Sequence, residues 1–507
     1  MCDLIYSQLK RYCMVTIRRT HSSKHHLSGI RLQNFKAYKD SGLMPLAPLT
    51  IVVGKNSSGK SSLIKALLAL AQTVHSPLGR TKKTRASNHD LRLNGALTNL
   101  GTFTDTVNGN NKGAFTISIA MGSDKEDKDG NEFDYTYAYK YQKSKESPLQ
   151  AQFTRMSVNY GKEQLFSGGP ISKKSIDSPV IRGDFLNNCK YTKNQSFELE
   201  DGDGGDPRLL LEFLKNNMGM SVNEKAVNDN DPNELEFKLV NALQIEPVPK
   251  FMMSKDRDRG YSWKLFGEMD DLSGMLSYTL RHAKYVGPLR EQPSREARIA
   301  HSATGNDIGT RGEDLPRMLH SMRHNKVFMK TINQHLQTLG IGELVHTSPS
   351  YSKNTAGKEI ETGYIRTHVV KDGVSRSLMD LGFGTSQVLP VIFQLSLAKE
   401  DLILLEQPEL HLHPSAQSEL GNVLASSLNQ GNQIILETHS ANIIARIQRL
   451  INENKLQKDQ VQLLYMKGDN NGTKCHPIGF YDDGTFDDTW PEDDFFTSIE
   501  LDMLGMD

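Results

Sequence analysis

Apolar and polar positions along the chain change their period several times, and each change predicts an element. Residues 27–38, "LSGIRLQNFKAY", alternate apolar and polar side chains, the period-2 pattern of a strand with one buried face. Residues 49–54, "LTIVVG", form a near-continuous apolar run, which predicts a strand buried on both faces in a parallel sheet. Residues 61–72, "SSLIKALLALAQ", place apolar side chains at helical spacing. From about 113 to 282 the character differs: "FDYTYAYKYQ" alternates aromatic and polar residues and predicts antiparallel strands with one wet face. Residues 206–219, "DPRLLLEFLKNNMG", combine an Asp cap, an early Pro and a closing Gly, a helix signature, and 223–234 read as a polar loop.

From Tyr285 onward the α/β pattern returns. Residues 315–340 are largely helical, and 402–405 and 433–436 are short apolar strands around a helical stretch at 415–429. A further strand falls at 461–466, and there is no repeat of fixed period. In "SLMDLGFGTSQVLPVIFQLSLA" (377–398) Gly382 and Gly384 precede an apolar helix, with Thr385 or Ser386 as its N-cap and Pro390 near its first turn, where proline is tolerated. The predicted layout is an α/β head split by an inserted α+β lobe. A flexible extension occupies 1–27, an N-terminal lobe 28–112, the insert 113–284, a C-terminal lobe 285–480 and an acidic tail 481–507.

Charge and cysteine content narrow the classes of function. Lys plus Arg and Asp plus Glu are both 60 among 507 residues, so no global field draws the chain to nucleic acid or an anionic membrane. Four scattered cysteines without a C-x-x-C pair argue against a disulfide framework or zinc site and fit a reducing, cytoplasmic setting. No apolar run approaches the about 18 residues of a membrane helix, and the first residues lack the apolar core of a secretion signal. Met14 is an alternative start to Met1. The acidic tail reads as a solvated segment, with Trp490, Phe495 and Phe496 as the residues it could bury.

Two segments carry the chemistry. Gly54-Lys55-Asn56-Ser57-Ser58-Gly59-Lys60-Ser61 fits G-x-x-x-x-G-K-S/T between a buried strand and a helix. Its glycines let backbone N–H groups close around a phosphate, and the helix N-terminus adds positive potential. Gly54, Asn56, Ser58, Gly59, Lys60, Ser61 and Ser62 are the expected nucleotide-binding residues, with Ser61 also a magnesium ligand. No Asn-Lys pair continues as N-K-x-D, which favours adenine over guanine. The second segment is "LILLEQPELHLHP" (402–414). Glu406 ends an apolar strand, where a carboxylate holds Mg²⁺, but Gln407 follows where a general base is expected. An amide orients water without accepting its proton, and losing a general base slows a reaction about 10²–10⁴-fold. Glu409 is two residues on and could substitute in part, and His439, after "QIILET", is placed to sense a γ-phosphate. Glu409, His411 and His413 form E-x-H-x-H, but Pro414 and the turn suit a subunit contact better than a metal site.

Taken in order, these pieces resemble the ABC-type ATPases of the SMC/RecF/Rad50 class. The resemblance implies that Gly54–Ser61 is the Walker A loop, that 382–387 takes the place of the signature motif as G-F-G-T-S-Q, that 402–407 is Walker B, and that His439 is the switch histidine. It implies ATP and Mg²⁺ as cofactors and a homodimer that sandwiches two nucleotides, with Gly384 and Ser386 of one protomer completing its partner's site. Gln407, Glu409 and His439 are then the catalytic residues, Ser61 and Glu406 the metal residues. Phe35 and Tyr38 fall near an adenine position or in the core, and Asp105 is a weak stand-in for a missing Q-loop glutamine. More narrowly, "EQPELHLHP", "ETHS", "GPLRE" and "WPEDDFF" are similar to RecF-like bacterial AAA ATPases related to the ATPase part of overcoming-lysogenization-defect proteins and of Septu and Gabija defence systems. About 70 residues follow His439, too few for the nuclease domain of the first group.

The expected function is therefore a slow ATPase that dimerises around Mg-ATP and regulates a partner effector protein or a DNA transaction, in antiphage defence. The alternative is a recombination or repair protein acting directly on DNA through a basic cluster of Arg281, His282, Lys284, Arg290, Arg295 and Arg298. Zero net charge favours a solvated or acid-paired face for that cluster. A transporter subunit fits poorly with the large insertion.

Overall fold

The computed structural model describes residues 27–74, 90–109, 113–126, 132–145, 147–160, 163–168, 275–299, 308–355, 357–469 and 472–487, with three two-residue strands between 180 and 238. The expected helix at 206–219, the extension before 27 and the aromatic residues of the acidic tail lie outside the described residues.

A six-stranded sheet forms the centre, in the order Lys284–Val286, Leu402–Glu406, Gln433–Glu437, Leu49–Gly54, Val461–Asp469, Gly472–Ile478. The first five strands are parallel and the last pairs antiparallel with its predecessor. The continuous apolar runs arise because both faces are covered. Leu402 and Leu404 point into one core, while Ile403 and Leu405 point into the other. Helices Leu315–Met322, Lys326–Thr338, Phe383–Leu397, Pro414–Leu428 and Ala441–Asn452 supply the second core. The chain is thus α/β, with a phosphate-type loop at the carboxyl end of a central parallel strand.

Helix Lys60–Val74 lies on the first face, and a second, antiparallel sheet closes over it. The pairing of this sheet continues past 113, where the sequence places the start of the insert. Phe115–Glu126 pairs with Leu27–Phe35 over six register positions, and Glu132–Lys143 and Gln150–Tyr160 extend the same sheet. Ile117, Ile119, Tyr137, Tyr139 and Tyr141 bury into the core of Lys60–Val74, and Phe35, Phe115, Tyr141 and Phe153 meet in a series of edge-on and tilted ring contacts. These strands complete the N-terminal lobe. The aromatic alternation identified them as antiparallel, but their partner lies some 80 residues upstream in sequence.

A third, four-stranded antiparallel sheet of Ala297–Arg298, Leu344–Lys353, Glu359–Lys371 and Val374–Ser377 was not anticipated. Two corrections concern Phe383–Leu397. Its N-cap is Gly382, and the Ser386 hydroxyl donates instead to the Phe383 carbonyl at 2.7 Å. Pro390 sits in mid-helix, with Gly312, at φ +75°, so close that a Cβ there would lie 2.7 Å from the Pro390 ring.

Candidate nucleotide site

The loop after Leu49–Gly54 is fixed from behind. Tyr38 donates its hydroxyl to the Gly59 carbonyl at 3.0 Å, and Thr473 donates to the Ser58 carbonyl at 2.9 Å. Gly54 has φ +142°, and a Cβ there would fall 2.3 Å from the Met466 carbonyl. Gly59 has φ +92°, and its Cβ would meet Ala37 and Thr473 at 2.9 Å. Both positions need glycine for conformation and for space. Within this turn the Lys60 ammonium donates to the Gly54 carbonyl at 2.8 Å and the Lys55 carbonyl at 2.7 Å. Burial holds its pKa below the ordinary lysine value, opposed by the nearby Glu437 carboxylate. The Ser58 hydroxyl is buried without a hydrogen-bond partner.

Two acids face this loop. Glu406 and Glu437 end adjacent parallel strands and are register partners. Both are buried. Glu406 Oε1 accepts from the Tyr285 hydroxyl at 2.9 Å. Burial, then repulsion from Glu437, pushes the Glu406 carboxyl up to about 7. Burial likewise raises Glu437, offset by a hydrogen bond from the Ser61 side chain and by Lys60. Glu437 Oε2 is buried with no partner.

The turn after Glu406 is clamped. Arg290, 4 % exposed, donates through Nη2 to the carbonyls of Glu406 at 2.9 Å and Gln407 at 3.2 Å. Burial draws this guanidinium down to about 10 against the attraction of Glu409, Tyr285 and Glu406. Gln407 has φ +45°, unusual for a non-glycine residue, and its N–H donates to the Glu437 carbonyl at 2.8 Å. Glu409 Oε1 accepts from the His439 N–H at 2.7 Å, tying the Glu406 turn to the next strand's end. The half-buried His439 ring has its pKa lowered by burial and by Lys60, which places it beside the loop.

Lys60, Ser61, Glu406, Gln407 and His439 therefore gather at the carboxyl ends of three neighbouring strands, with Ser58 and Gly59 in the same loop. Asn56 is exposed and Ser62 continues into the helix, its N–H on the Gly59 carbonyl at 3.0 Å. Glu409 joins the cluster by its contact with the His439 backbone. Gly384 and Ser386 do not join. Their helix packs by the edge strand Lys284–Val286, three strands from the Lys60 strand in the sheet order. Gly384 rests against the carbonyl of His411, whose ring stands edge-on to Phe383.

The remaining candidates take other places. Phe35 and Tyr38 are wholly buried and unavailable to a base. Asp105 accepts from the Thr102 N–H and hydroxyl at 2.7 Å and caps its own short helix. His413 caps Pro414–Leu428, and no group of three or more potential metal ligands occurs among the described residues. The basic cluster is no single face: Arg290 is buried in the acid turn, and Arg295 forms a two-point pair with Asp380.

Sequence reading missed Glu437, Tyr285 and the true place of Arg290. A signal for Glu437 was present, since "LILLE" and "QIILE" are parallel apolar strands that both end in glutamate. The donor set fits a magnesium nucleotide: a lysine and an unpartnered hydroxyl for phosphate, and a serine with two buried carboxylates for a hard cation. Among the described residues no helix is long and apolar enough to cross a membrane.

A family model described as "AAA ATPase domain" matches residues 26–231, and one described as "AAA domain, putative AbiEii toxin, Type IV TA system" matches 216–445. No curated protein matches the chain. Solved structures similar to it include the Smc head bound to the C-winged helix domain of ScpA, 11% identical, covering 90% of this chain and 98% of that one, with a TM-score of 0.37. The SMC head domain from Thermotoga maritima is 11% identical over 89% and 99% of the two chains, at 0.34. The Smc head domain with an extended coiled coil, bound to the C-terminal domain of ScpA derived from Pyrococcus furiosus, is 12% identical over 90% and 96%, at 0.37. The first family match contains the Lys60 loop and the second contains Glu406, Glu437 and His439, and together they support a nucleotide-binding ATPase.

Proposed function

We propose that this chain binds Mg-ATP at the Lys60 loop, hydrolyses it slowly, and closes as a homodimer around it to regulate a partner effector protein or a DNA transaction in antiphage defence. The observation that carries the reading is the convergence of Lys60, Ser61 and Glu406 at neighbouring strand ends, with Lys60 already held inside its loop. Lys60 exchanges the Gly54 and Lys55 carbonyls for phosphate oxygens, a stronger, charge-assisted contact. Ser61 and Glu406 hold the metal, which when bound supplies positive charge against the buried carboxylates and the phosphate. Gln407 orients water but does not take its proton, hence slow turnover. His439, with its backbone fixed by Glu409, senses the terminal phosphate.

Lys60→Ala tests this directly. Removing a charge-assisted pair of contacts lowers ATP affinity by about tenfold or more in a calorimetric titration. Equal affinity in the variant and the parent protein would end the proposal.

A further inference from the structure

Glu437 is used by none of the roles above, yet it occupies the tip of the strand directly beside the Lys60 strand. We propose that Glu437 is a second metal-side carboxylate, so that the cation of this site is held between Glu437 and Glu406 with the Ser61 hydroxyl. This deepens the ATPase reading and rests on it.

Three observations carry it. Glu406 and Glu437 are register partners on parallel strands, so their side chains leave the sheet in the same direction about 4.8 Å apart. Glu437 accepts from the side chain of Ser61, the loop residue whose hydroxyl a cation takes as ligand in this kind of loop. Its other oxygen, Oε2, is buried without any partner, although Glu437 is only 4 % exposed. Most buried side-chain polar atoms have a hydrogen-bond partner, and an oxygen without one calls for an explanation such as a bound ion. Here one oxygen is spent on the metal-side serine and the other points at nothing the chain provides.

The surroundings separate Glu437 from its neighbour Glu409. Glu409 Oε2 is likewise buried without a partner, but Glu409 has the Arg290 guanidinium as its counter-charge and a backbone N–H of the next turn on Oε1, so it serves the turn. Glu437 faces Lys60, Lys65 and Ser61, and the only charge paired with it in register is another acid. Two like charges side by side in a buried site are tolerated where a cation joins them. A hard divalent ion takes oxygen ligands of this type, and two carboxylates with a hydroxyl and phosphate oxygens make a complete set for magnesium or manganese. The acid missing at position 407 is thereby recovered on the adjacent strand, as a ligand rather than as a base.

The test reads metal rather than turnover. Mn²⁺ is titrated by electron paramagnetic resonance into full-length protein saturated with the β,γ-imido analogue of ATP, for the parent chain, Glu437→Gln, Glu437→Asp and Glu406→Gln. Glu437→Gln and Glu406→Gln should each weaken Mn²⁺ binding at least about tenfold, while Glu437→Asp, which keeps the charge, stays nearer the parent. Mn²⁺ affinity of Glu437→Gln within about twofold of the parent overturns the second carboxylate. Should Glu437→Gln fail to fold, equal affinities for Glu437→Asp and the parent, with a many-fold loss in Glu437→Ser, keep the proposal, and no loss in Glu437→Ser sinks it. A parent chain that does not bind the analogue at all refutes the ATPase reading itself, which is a different result.

Discussion

At Glu406 the physics of a single carboxyl becomes measurable in the whole protein. Its pKa is raised from 4.5 to about 7 by burial and by Glu437, so the folded chain holds a proton there that the unfolded chain releases. A raised folded-state pKa gives stability that is present in full below the unfolded value and lost as pH climbs through the folded one. Metal-free protein should therefore lose stability between pH 4.5 and about 7, by up to about 3 kcal/mol for this group. Glu409 and Glu437 are raised too and push the same way, so the informative quantity is the difference between Glu406→Gln and the parent. Urea denaturation with chelator at pH 5 and pH 7.5 measures it. The variant's stability should change less between the two, and parallel behaviour would mean that Glu406 is ionised at both. Arg290 belongs to the same argument. Its guanidinium holds the Glu406 and Gln407 carbonyls where a charge in water would do nothing for them, which is why a residue that reads as basic surface in sequence lies inside the acid turn.

Single elements divide into those that sequence made legible and those it did not, and the division has a physical cause. Strands Leu49–Gly54, Leu402–Glu406 and Gln433–Glu437 are buried on both faces, so an unbroken apolar run marks them and their ends deliver Gly54, Glu406 and the Thr438–His439 turn correctly. Gly472–Ile478 pairs only along one edge and carries Lys474 and His476 amid its apolar residues, so no period announces it. Pairing partners were equally hidden. Nothing local in Phe115–Glu126 says that Leu27–Phe35 is its neighbour, because that pairing is decided by the core over Lys60–Val74. Glu437 is inconspicuous in sequence because His439, two residues on, is the more obvious candidate in the same turn. The apolar period marks helix Phe383–Leu397 but not its tip, which starts at Gly382. A Cβ on Gly384 would stand 2.3 Å from the His411 carbonyl, with backbone rather than a flexible side chain in the way. Gly384→Ala must push the helix tip off the Glu406–Pro414 turn, at about 1–3 kcal/mol of stability. Thermal unfolding should show the drop, while ATP affinity at the Lys60 loop stays within about threefold. An unshifted melting temperature would show that the helix tip moves freely.

For the whole molecule the decisive fact is a separation. The Lys60 loop follows strand Leu49–Gly54, whereas the Gly384–Ser386 tip opens a helix that packs by the edge strand Lys284–Val286, with two strands of the sheet between these two strands. If both act on the same nucleotide, they come from two copies related by a twofold axis, and each closed dimer contains two composite sites. That arrangement has a consequence no single-chain site shares. A Lys60→Ala chain retains an intact helix tip, and a Gly384→Ala chain retains an intact lysine loop. In a mixed dimer the two damaged parts meet at one site and the two intact parts meet at the other. Each variant alone should be nearly inactive in steady-state hydrolysis. An equal mixture, paired at random, should recover about a quarter of the parent rate, because half the dimers are mixed and each has one good site of two. Sedimentation of the mixture with ATP and magnesium should show dimers that disperse when nucleotide is removed, since a ligand that bridges two chains stabilises their association by mass action. Hydrolysis by Gly384→Ala alone, at the parent rate and without dimers, would assign the activity to single chains. Dimers in which Gly384→Ala alone keeps the parent rate would place the helix tip outside the nucleotide site, leaving the Lys60 loop, Glu406 and Glu437 as a site each copy completes alone.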